Sequence, residues 1–167
     1  MKHAKYLTIL LVTCLAVVTF IPYSAAQKNT DKDDAKRAAF KNMVDSQQFV
    51  FVAQSVNPLR GRFRNLTSEY DVRVSQDTMV SYLPYFGRAY SAPIDPSKSG
   101  LEFKSTDFSY SVTPRKKNGW DVLIKPKDYR DVQQFRFTIN ENGSANLDVT
   151  SISRDPISFN GYIKPGK

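Results

Sequence analysis

The sequence predicts a mainly β domain: an antiparallel meander of about eight or nine strands forming a curved sheet or small barrel, with one N-terminal helix. A two-layer sandwich is the alternative. Three observations lead there. From Phe49 almost to the C-terminus, apolar residues recur with a period of two. The segments between these runs are short and rich in turn-forming residues. One stretch only, Asp34–Gln48, carries a helical period. A twisted sheet of that many strands tends to close on itself or to split into two layers.

The chain opens with a basic head, Lys2, His3 and Lys5, followed by an apolar run from Tyr6 to Ile21. Ser24-Ala25-Ala26 then places small residues before Gln27, so residues 1–26 read as a secretory signal cleaved after Ala26. The run is too short and too weakly flanked for a stable anchor. Cys14 offers a different outcome, because a lipidated cysteine would tether the chain and give it membrane contact. Against that, Thr13 precedes Cys14, and Leu15-Ala16-Val17-Val18 continue the apolar core.

Residues 27–33 are polar and charged, a flexible leader or the start of the helix. Residues 34–167 form a single globular domain. Within Asp34–Gln48, Ala35, Ala38, Ala39, Met43 and Val44 repeat every three or four positions, with Lys36, Arg37 and Lys41 on the polar side. Strand patterns follow. Phe49, Phe51 and Ala53 alternate with Val50, Val52 and Gln54, apolar on both sides and therefore central or covered by the helix. Tyr70-Val72-Val74, Phe108-Tyr110-Val112, Trp120-Val122-Ile124, Phe135-Phe137-Ile139, Leu147-Val149 and Ile157-Phe159-Gly161 each alternate with polar neighbours. Ser75-Gln76-Asp77, Lys117-Asn118-Gly119, Asn140–Ser144 and Arg154-Asp155-Pro156 are turns, so neighbouring strands should pair as hairpins.

Removing Lys2 and Lys5 from the 24 basic residues leaves 22 against 16 acidic ones, a net charge of +6 for the mature chain. In an exported protein such a charge suits anionic surfaces such as lipid headgroups or acidic glycans. Cleavage also removes His3 and Cys14, the only histidine and the only cysteine. Ser-His-Asp and Cys-His nucleophiles, His/Cys zinc sites and His-held haem are thereby excluded, and no disulfide contributes to stability. The seven glycines are isolated, so no phosphate-binding loop is present. Asp31-Lys32-Asp33-Asp34 lacks the glycine and terminal Glu of a calcium loop. No metal or other cofactor is expected. A carboxylate pair could support glycoside hydrolysis, but Glu69, Asp71, Glu102, Asp107, Asp121, Asp128, Asp131 and Asp148 are scattered and mostly alternate opposite the apolar positions.

Two groups stand out as candidate sites. Arg60, Arg62 and Arg64 lie on one face of an extended segment and could grip phosphate or carboxylate, or a partner protein. The same comb would also serve as a charged strand face that blocks edge pairing. The second group is Tyr82, Tyr85, Phe86, Arg88 and Tyr90, the densest aromatic patch, interrupted by Pro84 and Gly87 and followed by a long irregular loop, Ser91–Gly100. These residues could line a ligand mouth, with Arg88 orienting a polar group, or simply fill a tyrosine-rich core. Arg115-Lys116-Lys117 beside a turn reads as solvated.

Leu83-Pro84-Tyr85-Phe86-Gly87-Arg88-Ala89 and Asn118-Gly119-Trp120-Asp121-Val122 resemble an exported family known from Bacteroidetes and catalogued as domain of unknown function 4251. The likeness runs from about Phe40 to Ile163. It implies a periplasmic, envelope-associated or secreted protein of a Gram-negative bacterium, with some relatives resembling lipoproteins, and it implies no activity or site residues. The functional expectation is a non-enzymatic module that binds a small apolar or amphipathic ligand of the cell envelope in a barrel-like cavity. A protein-interaction or surface-assembly module is the alternative, with a carboxylate-based hydrolase behind both. The partner would be a small apolar or anionic envelope ligand or an envelope protein, not nucleic acid, with membrane contact expected only through lipid on Cys14.

Overall fold

The alternating runs become nine strands in the computed structural model, which describes residues 24–90, 100–116 and 118–166. The leader before Ser24, including Cys14, the Ser91–Ser99 part of the long loop, and Lys117 lie outside the described residues. The chain separates into two compact units, one ending at Ala35 and the other comprising Lys36–Lys167. In the first, helical backbone runs from Ser24 to Ala35.

Helix α1 spans Ser24–Asp45, so it begins before Asp34 and includes residues 27–33. It stops at Asp45 because Gln47 takes the left-handed conformation, φ 57°, while the amide of Gln48 bonds the Met43 carbonyl at 3.0 Å. In its Lys36–Asp45 part, Val44 is fully buried, and Phe40 and Met43 pack against the core.

The strands are β1 Phe49–Pro58, β2 Arg64–Val74, β3 Met79–Leu83, β4 Leu101–Ser105, β5 Phe108–Pro114, β6 Trp120–Pro126, β7 Val132–Ile139, β8 Ser144–Ser151 and β9 Ile157–Pro165. They form one antiparallel sheet in the order β4-β3-β2-β1-β9-β8-β7-β6-β5, curled into a nearly closed barrel. Strand β1 is central, flanked by β2 and β9, as its two apolar faces predicted. A bulge between Ala53 and Ser55 then shifts its register against both neighbours.

Two short strands, β3 and β4, lie where the period of two was not legible. Their buried positions include Ser81 and Ser105, which break the apolar pattern. The Ser81 hydroxyl donates to the Leu101 carbonyl at 2.6 Å, and that of Ser105 donates to Asp128, so each buried hydroxyl is satisfied.

Of the consecutive strands described, β4 and β5 do not pair with each other. Every paired neighbour in the sheet is antiparallel, including β1 with β9. Following those directions round both sides of β1 makes β4 and β5 run the same way. Together they are one long strand bent at Thr106-Asp107, whose first half bonds β3 and whose second half bonds β6. The connection from Lys127 to Asp131 seals the seam. The Asp128 carboxylate accepts from the Ser105 hydroxyl and from the Thr106 and Asp107 amides, at 2.8 and 3.3 Å for the amides. The Tyr129 ring stacks on Phe103, with centroids 4.0 Å apart. The hydrogen bond from Ser105, followed by that from the Thr106 amide, holds Asp128 below the usual carboxylate range.

Between the strands, Phe49, Phe51, Phe135, Phe137 and Phe159 are fully buried. Phe137 meets Phe49 and Phe51 edge-on at 5.7 and 5.6 Å, a geometry that adds about 1 kcal/mol per pair to simple burial. The C-terminal half of α1 closes one end of the barrel. The Tyr110 hydroxyl donates to the Val44 carbonyl at 2.7 Å, and burial pushes its phenol well above the ordinary value. The Phe40 ring lies over Gly143, where a Cβ would come within 2.4 Å of it, and Gly143 also holds φ at 85°. Both constraints call for glycine there.

Candidate functional site

The end opposite the helix is built from three connections, 59–63, the segment after β3, and 152–156. Backbone bonds lock them together. Leu59 N donates to Pro156 O at 3.4 Å, Tyr90 N to Ser153 O at 2.7 Å, and Asp155 N to Arg88 O at 3.0 Å. Ala89 and Arg154 form an isolated antiparallel bridge.

Beneath these connections lies a buried polar frame. Arg154 and Asp155, 6% and 3% exposed, are the two buried charged residues among those described. Arg154 reaches the Asp131 carboxylate at 3.4 Å and the Gly100 carbonyl at 3.1 Å, and lies 5.1 Å from the Tyr85 ring centroid. Ser153 donates its hydroxyl to the same Asp131. The Tyr85 hydroxyl is shared between the carbonyls of Arg88, at 2.9 Å, and Asp155, at 3.0 Å. Gly87 makes room for it, since a Cβ there would meet that oxygen at 2.7 Å. Tyr90 donates to Asp155 Oδ1, whereas Asp155 Oδ2 is buried without a hydrogen-bond partner. Burial, and then the negative charge of Asp155, raises the Tyr85 phenol pKa. The hydrogen bond to Asp155, followed by burial, raises that of Tyr90, with Arg60 and Arg88 acting in the opposite sense. At neutral pH both phenols therefore serve as donors rather than as bases or nucleophiles.

On this frame sits an open cleft of about 300 Å³, lined by Arg60, Arg62, Arg64 and Phe86 together with Pro58, Gly61 and Gly87. The Arg64 guanidinium lies 4.9 Å from the Phe86 centroid, and that of Arg88 lies 5.8 Å from the Tyr90 centroid. Among the described residues, no acidic side chain pairs with Arg60, Arg62, Arg64 or Arg88. Four always-charged guanidiniums with exposed donors, two of them stacked on rings, can bind a phosphate, sulfate or carboxylate through bidentate bonds while Phe86 offers an apolar face.

The two sequence-derived groups thus meet at one place, although not as drawn. Only Arg64 is in a strand. Arg60 and Arg62 belong to the β1–β2 connection, where Gly61 at φ 144° turns the chain, so the comb is a curled loop rather than a strand face. Phe86 lines the cleft, and Arg88 and Tyr90 stand beside it. Tyr85 supports it from below. Tyr82 is elsewhere, exposed on β3 and stacked on Tyr70 at 5.6 Å. In the sequence Arg154 and Asp155 have the pattern of an ordinary turn, and Asp131 is only one scattered carboxylate. A charged pair before proline carries no sequence signal of burial, because the tyrosines that bury it lie about seventy residues earlier in the chain. Among the described residues, no group of three or more His, Cys, Asp or Glu side chains could hold a metal ion. No described helix is long and apolar enough to cross a membrane.

Fold and cleft together define a helix-capped, nearly closed antiparallel barrel with a basic, aromatic-floored cleft at its loop end. Residues 31–163 match the family model described as domain of unknown function (DUF4251), and the chain belongs to that family. A crystal structure of a DUF4251 family protein from Bacteroides eggerthii is similar, with 18% identity, a TM-score of 0.61, and 78% of this chain and 88% of that one covered. At that identity the likeness concerns the fold. No curated protein matches the chain.

Proposed function

We propose that this chain is an exported, non-enzymatic binding module of the cell envelope, whose ligand is small, amphipathic and anionic. One observation carries the reading: Arg60, Arg62 and Arg64, without acidic partners among the described residues, share a cleft of about 300 Å³ with Phe86. That volume suits a small molecule at the lower end of ligand pockets. The phenylalanine cluster fills the space between the strands where a barrel-like cavity was expected, so this reading moves the ligand to the cleft at the loop end. The signal-like leader supports export, and the lack of His and Cys after Ala26 supports binding over catalysis.

Native mass spectrometry of the protein purified from its own host tests this. A low-mass anionic ligand should be retained by the wild type and absent from the Arg60→Ala/Arg62→Ala/Arg64→Ala variant. A ligand-free wild type, or equal retention by the variant, would overturn the reading.

A further inference from the structure

Large apolar side chains are not distributed evenly over the surface. Leu59, Phe63, Tyr90 and Ile152 are each 57–64% exposed, and all four lie in the connections at the loop end. The hydrogen bonds Leu59 to Pro156 and Tyr90 to Ser153 make these connections neighbours. Solvated loop tips are normally polar, and a set of exposed apolar side chains on adjoining loops marks a contact surface. Interleaved with them are Arg60, Arg62, Arg64 and Arg88, which have no acidic partner among the described residues. A protein partner would have to present several carboxylates in fixed register. An anionic lipid surface presents dense negative charge in any register, with an apolar layer directly beneath it for side chains such as Leu59 and Phe63. Arginine and aromatic side chains are suited to that boundary.

We propose that the loop end of the barrel docks peripherally on an anionic lipid bilayer, inserting Leu59, Phe63 and Ile152 among the headgroups while Arg60, Arg62, Arg64 and Arg88 contact lipid phosphates. This membrane contact is made by the folded domain and needs no lipid on Cys14. The insertion is separable from ligand binding in the cleft, because none of the three inserting residues lines it, whereas Arg60, Arg62 and Arg64 line the cleft and serve both contacts.

Sedimentation with vesicles tests it, using the chain as processed by its host and a matched Leu59→Ser/Phe63→Ser variant. The two surfaces compared are phosphatidylethanolamine mixed with phosphatidylglycerol, and phosphatidylcholine alone. The wild type should bind the anionic vesicles in excess of the neutral ones, and the excess should shrink as salt is added. The double variant should lose the excess by on the order of ten-fold or more, as expected for two apolar side chains no longer buried, with Ile152→Ser giving a smaller loss in the same direction. An unchanged melting temperature will show that the variants are folded, as expected for exposed positions. Equal binding of the wild type to both surfaces, or an undiminished excess in the double variant, would overturn the proposal. Capture by an envelope protein without any vesicle preference would also do so. Ligand retention by the double variant reports on the cleft separately, so failure of one reading is distinguishable from failure of the other.

Discussion

The two ends of the barrel use the same residue types in opposite ways. At the helix end three cations are matched: Arg37 pairs with Glu141, Lys41 with Asp45, and Arg115 lies 3.6 Å from Asp121. The apolar side chains there, Phe40, Met43 and Val44, are turned into the core, leaving polar turns such as Asn140-Glu141-Asn142-Gly143 outside. At the loop end, Arg60, Arg62, Arg64 and Arg88 lack such partners among the described residues, and Leu59, Phe63, Tyr90 and Ile152 face outward. Charges and apolar groups that satisfy one another add to stability. Those left unsatisfied at a surface are free to act on something else. The loop end is nevertheless not loose, because the Arg154–Asp155 frame fixes it from beneath.

That contrast can be broken at its strongest point first. Val44→Asp would put an unpaired carboxylate into a fully buried site at the helix end. It should cost more than about 4 kcal/mol or prevent folding, as read by urea unfolding. Next, Arg154→Ala strips the buried partner from Asp131 and should cost about 3 kcal/mol. It should also speed amide exchange at Tyr90 and Asp155, whereas the helix end stays protected. If exchange rose uniformly instead, the frame would not be a local device.

Asp128 tests the seam between the two ends. Hydrogen bonds from Ser105 and the Thr106 amide hold its pKa below that of an ordinary aspartate, so the folded state binds its proton less readily than the unfolded chain does. The stabilisation is therefore present above the ordinary carboxylate value and lost as pH falls through the lowered one. Asp128→Ala should lower the melting temperature by a few degrees at neutral pH, and the gap to the wild type should narrow below about pH 4. A gap independent of pH would mean that the carboxylate charge is not what holds the bend. The smallest expected effect is the most telling. Arg60→Ala/Arg62→Ala should leave stability within about 0.5 kcal/mol of the wild type, because neither residue has an ion-pair partner among the described residues. A substantial loss would assign the comb to the fold instead of to binding.

Much of this architecture was legible from residue order alone, and the reason is local. Side-chain alternation, turn composition and the helical spacing of Ala35, Ala38, Ala39, Met43 and Val44 are properties of near neighbours, so they announced an antiparallel sheet with one helix. Where a buried polar residue interrupts alternation, as Ser81 and Ser105 do in β3 and β4, the local signal fails although the strand forms. The hydrogen bond that pays for the burial comes from a distant residue. Sequence also picked out both the arginines and the aromatics, as departures from ordinary composition.

Only the tertiary structure joined them. Whether β4 and β5 make a hairpin or one bent strand depends on barrel closure and on the clamp from Asp128. Whether Arg62 and Phe86 share a cleft depends on how the β1–β2 connection folds toward the segment after β3. Arg154 and Asp155 show the same limit most clearly, since burial of a charge is decided by residues far away in the chain. The sequence by itself determined the elements and the inventory of charge and aromatic rings. Long-range packing decided which of those groups are satisfied within the protein and which are left facing outward.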